Sequence, residues 1–322
     1  MPSLPAGVEM PPGLFVEMPP GLFVEIDGET DDGADDGADH ETDRPAILVE
    51  ATELTRGPWG NGIMHGGAVC GLLGLAIETE LHRTVADAER FVCSRLTVEI
   101  LSGVPVTTLA VAARVVKAGR RASVVEAEFR HAAAPAPRLL ARATSQWLAT
   151  SSAAETDAAS LPAGYFDYPP LPDDRDDPSG GDFDYPRPGF NVDAVDVRFV
   201  DNTAGQPGPG RSWIRLEHPL VAGRAATQFT TVATLCDLGA AVGWDRSLDG
   251  AAFVNTDVTL QLLREPVGEW ILFDSRTDDA GVGIACCHSV ISDQAGPLGW
   301  VLQSQVEAPP ELGLPGDPSG PA

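Results

Sequence analysis

The chain has 322 residues, with 21 Lys and Arg against 47 Asp and Glu and a formal net charge of -26. At ~150 residues per domain that length suggests two bodies rather than one. A surface of that sign repels phosphate, which excludes nucleic acid and an anionic membrane surface as partners.

The first predicted segment, residues 1–46, holds an octapeptide twice, VEMPPGLF at 8–15 and again at 16–23, resuming as Val24-Glu25. A Pro-Pro-Gly unit sustains neither a helix nor a central strand. Residues 27–43 follow with nine acids and no base, so the segment is expected to be mostly disordered and outside the chemistry. A short first strand over residues 23–25 is compatible with it. No basic region followed by an apolar stretch and a small-residue cleavage site opens the chain, and the expected compartment is the cytoplasm.

A first body is predicted over 47–152. Its Gly- and Ala-rich run GGAVCGLLGLAIETELH (66–82) reads as a buried helix packed on a sheet. The apolar part ends at Glu78, too short to span a bilayer. Alternating runs within 91–115, 121–131 and 138–149 read as strands. Residues 153–192, with YFDYPPLPDDRDDPSGGDFDYPRPGF, read as a linker. A second body over 193–309 repeats the pattern: a helix in TTVATLCDLGAAVGW (230–244), then strands within 253–277, 281–293 and 298–308, then a tail, 310–322. Laid side by side, FVCSRLTVEI and FVNTDVTLQL put Thr97 on Thr259, which makes the two bodies a duplication. Each terminal strand carries a glutamine, Gln146 or Gln303. The five cysteines contain no C-x-x-C pair and fit reduced structural thiols, with Cys286 and Cys287 facing opposite sides of a strand. Metal-ligand spacing, a phosphate loop and G-x-S-x-G are all absent from the sequence, so no metal or cofactor is expected.

Four pieces together, ELTRGPWGNGIMHGG (53–67), ATLCDLG (233–239), FVNTDVTLQLLREPVGEW (253–270) and the terminal strand with Gln303, resemble the TesB-like acyl-CoA thioesterases. The resemblance implies an α+β double hotdog: two tandem hotdog domains, each a central helix wrapped by antiparallel sheet, the sheets joined and both helices on one face. Asp237 is the only charge between Phe229 and Trp244, and burying a lone carboxylate needs a reason. The resemblance implies that such an acid, with Asn255 at the start of the next strand and Gln303 near the end of the last, activates a water for attack on a thioester. Gln305 lies two residues along on the same face and is the alternative. His65-Gly66-Gly67 precedes the first helix, where the Gly66 or Gly67 N–H suits an oxyanion. That stretch also resembles the Asn-to-HGG signature of single-hotdog thioesterases, with Asn61 upstream. His65 itself reads as either a packing residue or part of the site. Trp59 reads as either acyl-pocket lining or core, and Lys117, Arg120 and Arg121 as either contacts to the phosphates of coenzyme A or a solvated turn. Glu78 and Glu80 fall at what reads as the exposed end of the first helix, which leaves one site per chain and makes Gln146 a relic.

The expected activity is hydrolysis of an acyl-CoA to free acid and coenzyme A by direct water attack. The alternatives are a hotdog hydratase or dehydratase, which needs a His with a carboxylate near the substrate β-carbon, and a non-catalytic acyl-binding protein. Negative charge disfavours an acidic carrier protein as the acyl donor. A homo-oligomer is expected by fold analogy alone.

Overall fold

The structure, a computed structural model, describes residues 21–26, 46–59, 62–131, 138–150, 169–173, 188–201, 208–243 and 253–308. In chain order its elements are β1 (Phe23–Glu25), β2 (Ala46–Ala51), α1 (Gly66–Thr84), β3 (Phe91–Ile100), β4 (Thr108–Lys117), β5 (Ala122–His131), β6 (Leu139–Ala149), β7 (Val195–Asp201), β8 (Gly210–Leu216), α2 (Gln228–Leu235), α3 (Gly239–Val242), β9 (Phe253–Leu262), β10 (Ile271–Asp279), β11 (Ile284–Asp293) and β12 (Gly296–Glu307). The strands form one sheet in the order β1-β2-β4-β5-β6-β3-β9-β12-β11-β10-β8-β7. This is the double hotdog that the duplication implied.

Period-2 patterning sets its two faces. On β11, Ala285, Cys287, Ser289 and Ile291 are buried, while Ile284, Cys286 and His288 are exposed. The buried face meets α1 at β3–β6 and α3 at β10 and β11, and α1 is enclosed nearly all round, with fourteen buried residues. No helix among the described residues is long and apolar enough to cross a membrane. All five cysteines are unpaired.

The two bodies meet where β3 pairs antiparallel with β9, Thr97 opposite Thr259, and the Thr259 Oγ1 donates to Thr97 Oγ1 at 3.2 Å. The 162-residue separation of that pair recurs with detail. His65 caps α1 and Thr227 caps α2. Ser94 and Thr256 are the bulged residues of β3 and β9, and each hydroxyl donates to a backbone carbonyl across the bulge, Gln146 O at 3.1 Å and Ser304 O at 3.0 Å.

Several expectations change. The helix read over 230–244 is broken: α2 ends at Leu235, Cys236–Leu238 is a 3-10 turn, and α3 adds one further turn. The short strand that the sequence allows at residues 23–25 is present as β1, with Leu22 and Phe23 fully buried. Residues 1–20 and 27–45 of the segment expected to be disordered lie outside the described residues. The linker read over 153–192 contributes to the packing at both described pieces: Leu171 lies against Trp213 and Trp270, and a π-helical turn, Phe190–Ala194, buries Phe190. Glu78 and Glu80 are buried rather than exposed. Thr227 Oγ1 donates to Glu78 Oε2 at 2.8 Å, and Arg83 Nε donates to Glu80 Oε2 at the same distance. Burial raises the Glu78 pKa above the ordinary carboxylate value, with Thr227 acting against it.

Candidate functional site

Small residues on α1 bring the two helices together. A Cβ on Gly71 would lie 2.2 Å from Thr234 Oγ1, and one on Gly67 would lie 2.4 Å from the Thr234 carbonyl oxygen. With no side chain at either place, the end of α2 slides in until the Asp237 carboxylate stands against Gly66, the first residue of α1. A helix N-terminus favours negative charge there. The 3-10 turn at 236–238 frees the Asp237 carbonyl from regular helix bonding, and Gln303 Nε2 donates to it at 2.9 Å.

The carboxylate is held from two sides. Asn255 Nδ2 donates to Asp237 Oδ1 at 2.7 Å, and Gln305 Nε2 donates to Asn255 Oδ1 at 3.0 Å, which fixes the orientation of the Asn255 amide. Asp237 Oδ2 lies 3.2 Å from His65 Nδ1. That nitrogen also accepts the Gly67 N–H at 3.0 Å, so it carries no proton and presents its lone pair. The approach of Oδ2 is attractive only with a proton between the two atoms. Burial pulls the His65 pKa below its ordinary value, against the opposing pull of the Asp237 charge. Phe190 stacks on the imidazole at 4.3 Å between centroids and 11° between planes, so the ring cannot swing away.

Beside this cluster opens a cavity of about 370 Å³. Asp237, Asn255, Gln305, His65 and Gly66 form its polar wall. The remainder is largely apolar, with Trp59, Ile63, Val104, Phe199, Leu238 and Phe253 among its residues.

Of the residues singled out in the sequence, His65, Gly66, Trp59, Asp237 and Asn255 therefore come together. Gln303 does not line the cavity. It is fully buried and supports the Asp237 backbone, while Gln305 reaches the cavity. The bulge at Thr256 sets the contact of Gln305, because it brings Gln305 rather than Val306 opposite Asn255, while Gln303 lies opposite Val258. The Gly67 N–H is occupied by His65, and Gly66 is among the cavity residues. Arg120, Arg121 and Lys117 are exposed at the β4–β5 connection and are not among the cavity residues, none of which is basic. Asn61 lies outside the described residues. Phe190 is the neighbour that sequence reading missed, since a Pro-rich context masked it.

The duplicated positions also differ in which body holds the acid. At the same 162-residue separation, Leu75 stands where the second body has Asp237, and Cys93 where it has Asn255. Trp147 lies opposite Cys93 as Gln305 lies opposite Asn255, and Ser145 takes the place of Gln303. Gln146 is thus the counterpart of Ser304, not of Gln303. Trp147 is buried edge-on to Phe229 at 4.9 Å between centroids. Apolar groups fill the first body's version of the site.

A search of curated proteins finds no match. Among solved structures, the chain is similar to a TesB protein of Mycobacterium avium subspecies paratuberculosis, at 14% identity and a TM-score of 0.53 over 82% of this chain and 93% of that one. It is similar to acyl-CoA thioesterase II TesB2 of Mycobacterium marinum at 17% identity and a TM-score of 0.55, over 81% and 93%. A hotdog-fold protein of unknown function from Alicyclobacillus acidocaldarius aligns at 16% identity and a TM-score of 0.59, over 84% and 95%. At those identities the likeness speaks for the fold. Family models for the N-terminal and C-terminal acyl-CoA thioesterase domains match residues 55–146 and 167–306, and with both halves matched in order the chain belongs to the acyl-CoA thioesterase family.

Proposed function

We propose that the chain hydrolyses acyl-CoA thioesters by direct attack of a water that Asp237 deprotonates. The observation that carries this reading is the Asp237 carboxylate, buried yet lining an apolar cavity, with Asn255 on one oxygen and neutral His65 on the other. An acyl chain fills the apolar part. The thioester carbonyl oxygen lies at the Gly66 N–H, where the start of α1 stabilises the charge that develops on it. Water in contact with the carboxylate gives its proton to Asp237 as its oxygen bonds to the carbonyl carbon. The acquired proton rests on Oδ2, where His65 Nδ1 shares it, and then passes to the sulfur as the C–S bond breaks. Gln305 acts through Asn255, and Gln303 through the backbone of Asp237.

Thiol release from a panel of short, medium and long acyl-CoA substrates tests the activity. Hydrolysis of at least one class is expected, and no release across the panel overturns the reading in favour of a hydratase or an acyl-binding protein. The two glutamines are expected to separate. Gln305→Ala frees the Asn255 amide and lowers kcat by about tenfold, with the melting temperature little changed, since one neutral hydrogen bond contributes only about 1 kcal/mol. Gln303→Ala leaves a buried carbonyl unpaired and lowers the melting temperature more than Gln305→Ala does. Rates and melting curves of the two variants, side by side, check the assignment.

A further inference from the structure

The segment 21–26 is held as a clip between the two bodies. On the side of the first body, Thr52 N donates to Leu22 O at 3.0 Å, Thr52 Oγ1 donates to Gly21 O at 2.9 Å, and Ile26 N donates to Leu48 O at 2.9 Å. On the side of the second, Leu22 N and Phe23 N donate to Pro219 O and Leu220 O at 3.1 and 3.0 Å, and Ala222 N donates to Phe23 O at 2.8 Å. Leu22 and Phe23 are fully buried. Gly21 is required by contact, since a Cβ there would lie 2.5 Å from Ala222 N.

Every one of these requirements is met a second time in the sequence. Residues 13–17 read GLFVE, identical to residues 21–25, and are preceded by the same Met-Pro-Pro. The next residue is Met18 in place of Ile26, apolar and with its own N–H to donate. We infer that the groove formed by β2, Thr52 and residues 219–222 accepts either copy from the same chain, so that the clip has two registers eight residues apart.

Seating the first copy replaces the connection 27–45 by 19–45. The entropy of closing a connection varies only with the logarithm of its length. The contacts being the same, the two registers differ in population by roughly a factor of two. A stretch without the Gly-Leu-Phe triplet cannot compete. Val8-Glu9, the third Val-Glu pair of the repeat, is preceded by Ala6-Gly7 and serves as the internal control.

Cross-strand disulfides read the register directly. Val24 lies opposite Glu50, and both side chains are exposed, so Val24→Cys with Glu50→Cys reports the second copy. Val16→Cys with Glu50→Cys reports the first, and Val8→Cys with Glu50→Cys measures chance encounters of the tail. The full-length variants are oxidised with glutathione disulfide and the linked peptides mapped. Positions 24 and 16 are expected to form intramolecular links with yields within about threefold of each other, and position 8 at least tenfold less. Position 16 linking no better than position 8, or linking only between two chains, would overturn the inference. Melting temperature gives the second reading. Leu22→Asp with Phe23→Asp is expected to shift it by no more than a degree or two, because the first copy takes over. Adding Leu14→Asp and Phe15→Asp is expected to lower it by several degrees. A full loss already in the first pair of substitutions would mean that residues 21–25 alone fit the groove.

Discussion

Asp237→Asn is expected to lower kcat for acyl-CoA hydrolysis by roughly 10²–10⁴-fold, the range that a positioned general base supplies, without loss of fold. The amide has the same shape as the carboxylate. Its oxygen still accepts from Asn255 Nδ2, which donates to Oδ1 at 2.7 Å in the parent. Its nitrogen meets His65 Nδ1, 3.2 Å from Oδ2, as a donor to a lone pair. A carboxylate facing a ring lone pair is replaced by an ordinary hydrogen bond, and a buried charge disappears. A melting temperature equal to or above that of the parent is therefore expected beside the lost turnover, and substrate binding to the folded variant is retained. A rate within a few-fold of the parent would remove Asp237 from the proton transfer.

Gly66→Ala is expected to reduce kcat by about 10²-fold, the scale on which displacing a reacting group by about 1 Å acts. Intrinsic propensity alone favours the change, since Ala is preferred over Gly in a helix by roughly 1 kcal/mol. Position 66, however, would place its new methyl 2.6, 2.7 and 2.8 Å from Oδ2, Cγ and Oδ1 of Asp237. The carboxylate cannot rotate aside without giving up Asn255 or His65, so the acid and the oxyanion donor are separated in one step. Gly74→Ala is the comparison: its methyl would meet Ala233 Cβ at 3.2 Å and the Phe229 ring at 3.5 Å, where a small shift of the helices relieves the closer contact. Measured together, Gly66→Ala should lose rate with stability kept, and Gly74→Ala should change neither by much. Equal rates in both variants would show that the approach of α1 to Asp237 does not matter for turnover.

The elements most legible in the sequence were those with strong periodicity and a copy elsewhere in the chain. FVCSRLTVEI and FVNTDVTLQL align without a gap, and they are hydrogen-bonded neighbours. Asp237 stood out because a single charge in an apolar stretch has few structural excuses. What escaped notice was set by geometry between distant residues. The pairing of Gln305 with Asn255 depends on one bulged residue, Thr256, which no local pattern marks. Gln146 was matched to Gln303 by type, whereas strand register matches it to Ser304. The burial of Glu78 depends on Thr227, its hydrogen-bond partner from the other body. Phe190 and the clip at 21–26 lie beside prolines, and composition hid the few apolar residues that dock. The break of the second helix at Cys236–Leu238 left no signal because every residue there tolerates a helix.

The Trp147 side chain, filling the first body's version of the site, bears on how such a chain can change. If two identical bodies assembled as separate molecules, any substitution would appear in both, and a residue suited to reaction would have to be tolerated at its structural counterpart. Once both bodies lie on one polypeptide, each position mutates alone. Leu75, Cys93 and Trp147 convert one former half-site into packing, while Asp237, Asn255 and Gln305 keep their polar contacts opposite. Covalent fusion thus lets selection for stability and selection for turnover act on different residues. The next gains in stability are to be sought around Leu75, Cys93 and Trp147, away from His65 and Gly66, where a better-fitted side chain displaces no reacting group.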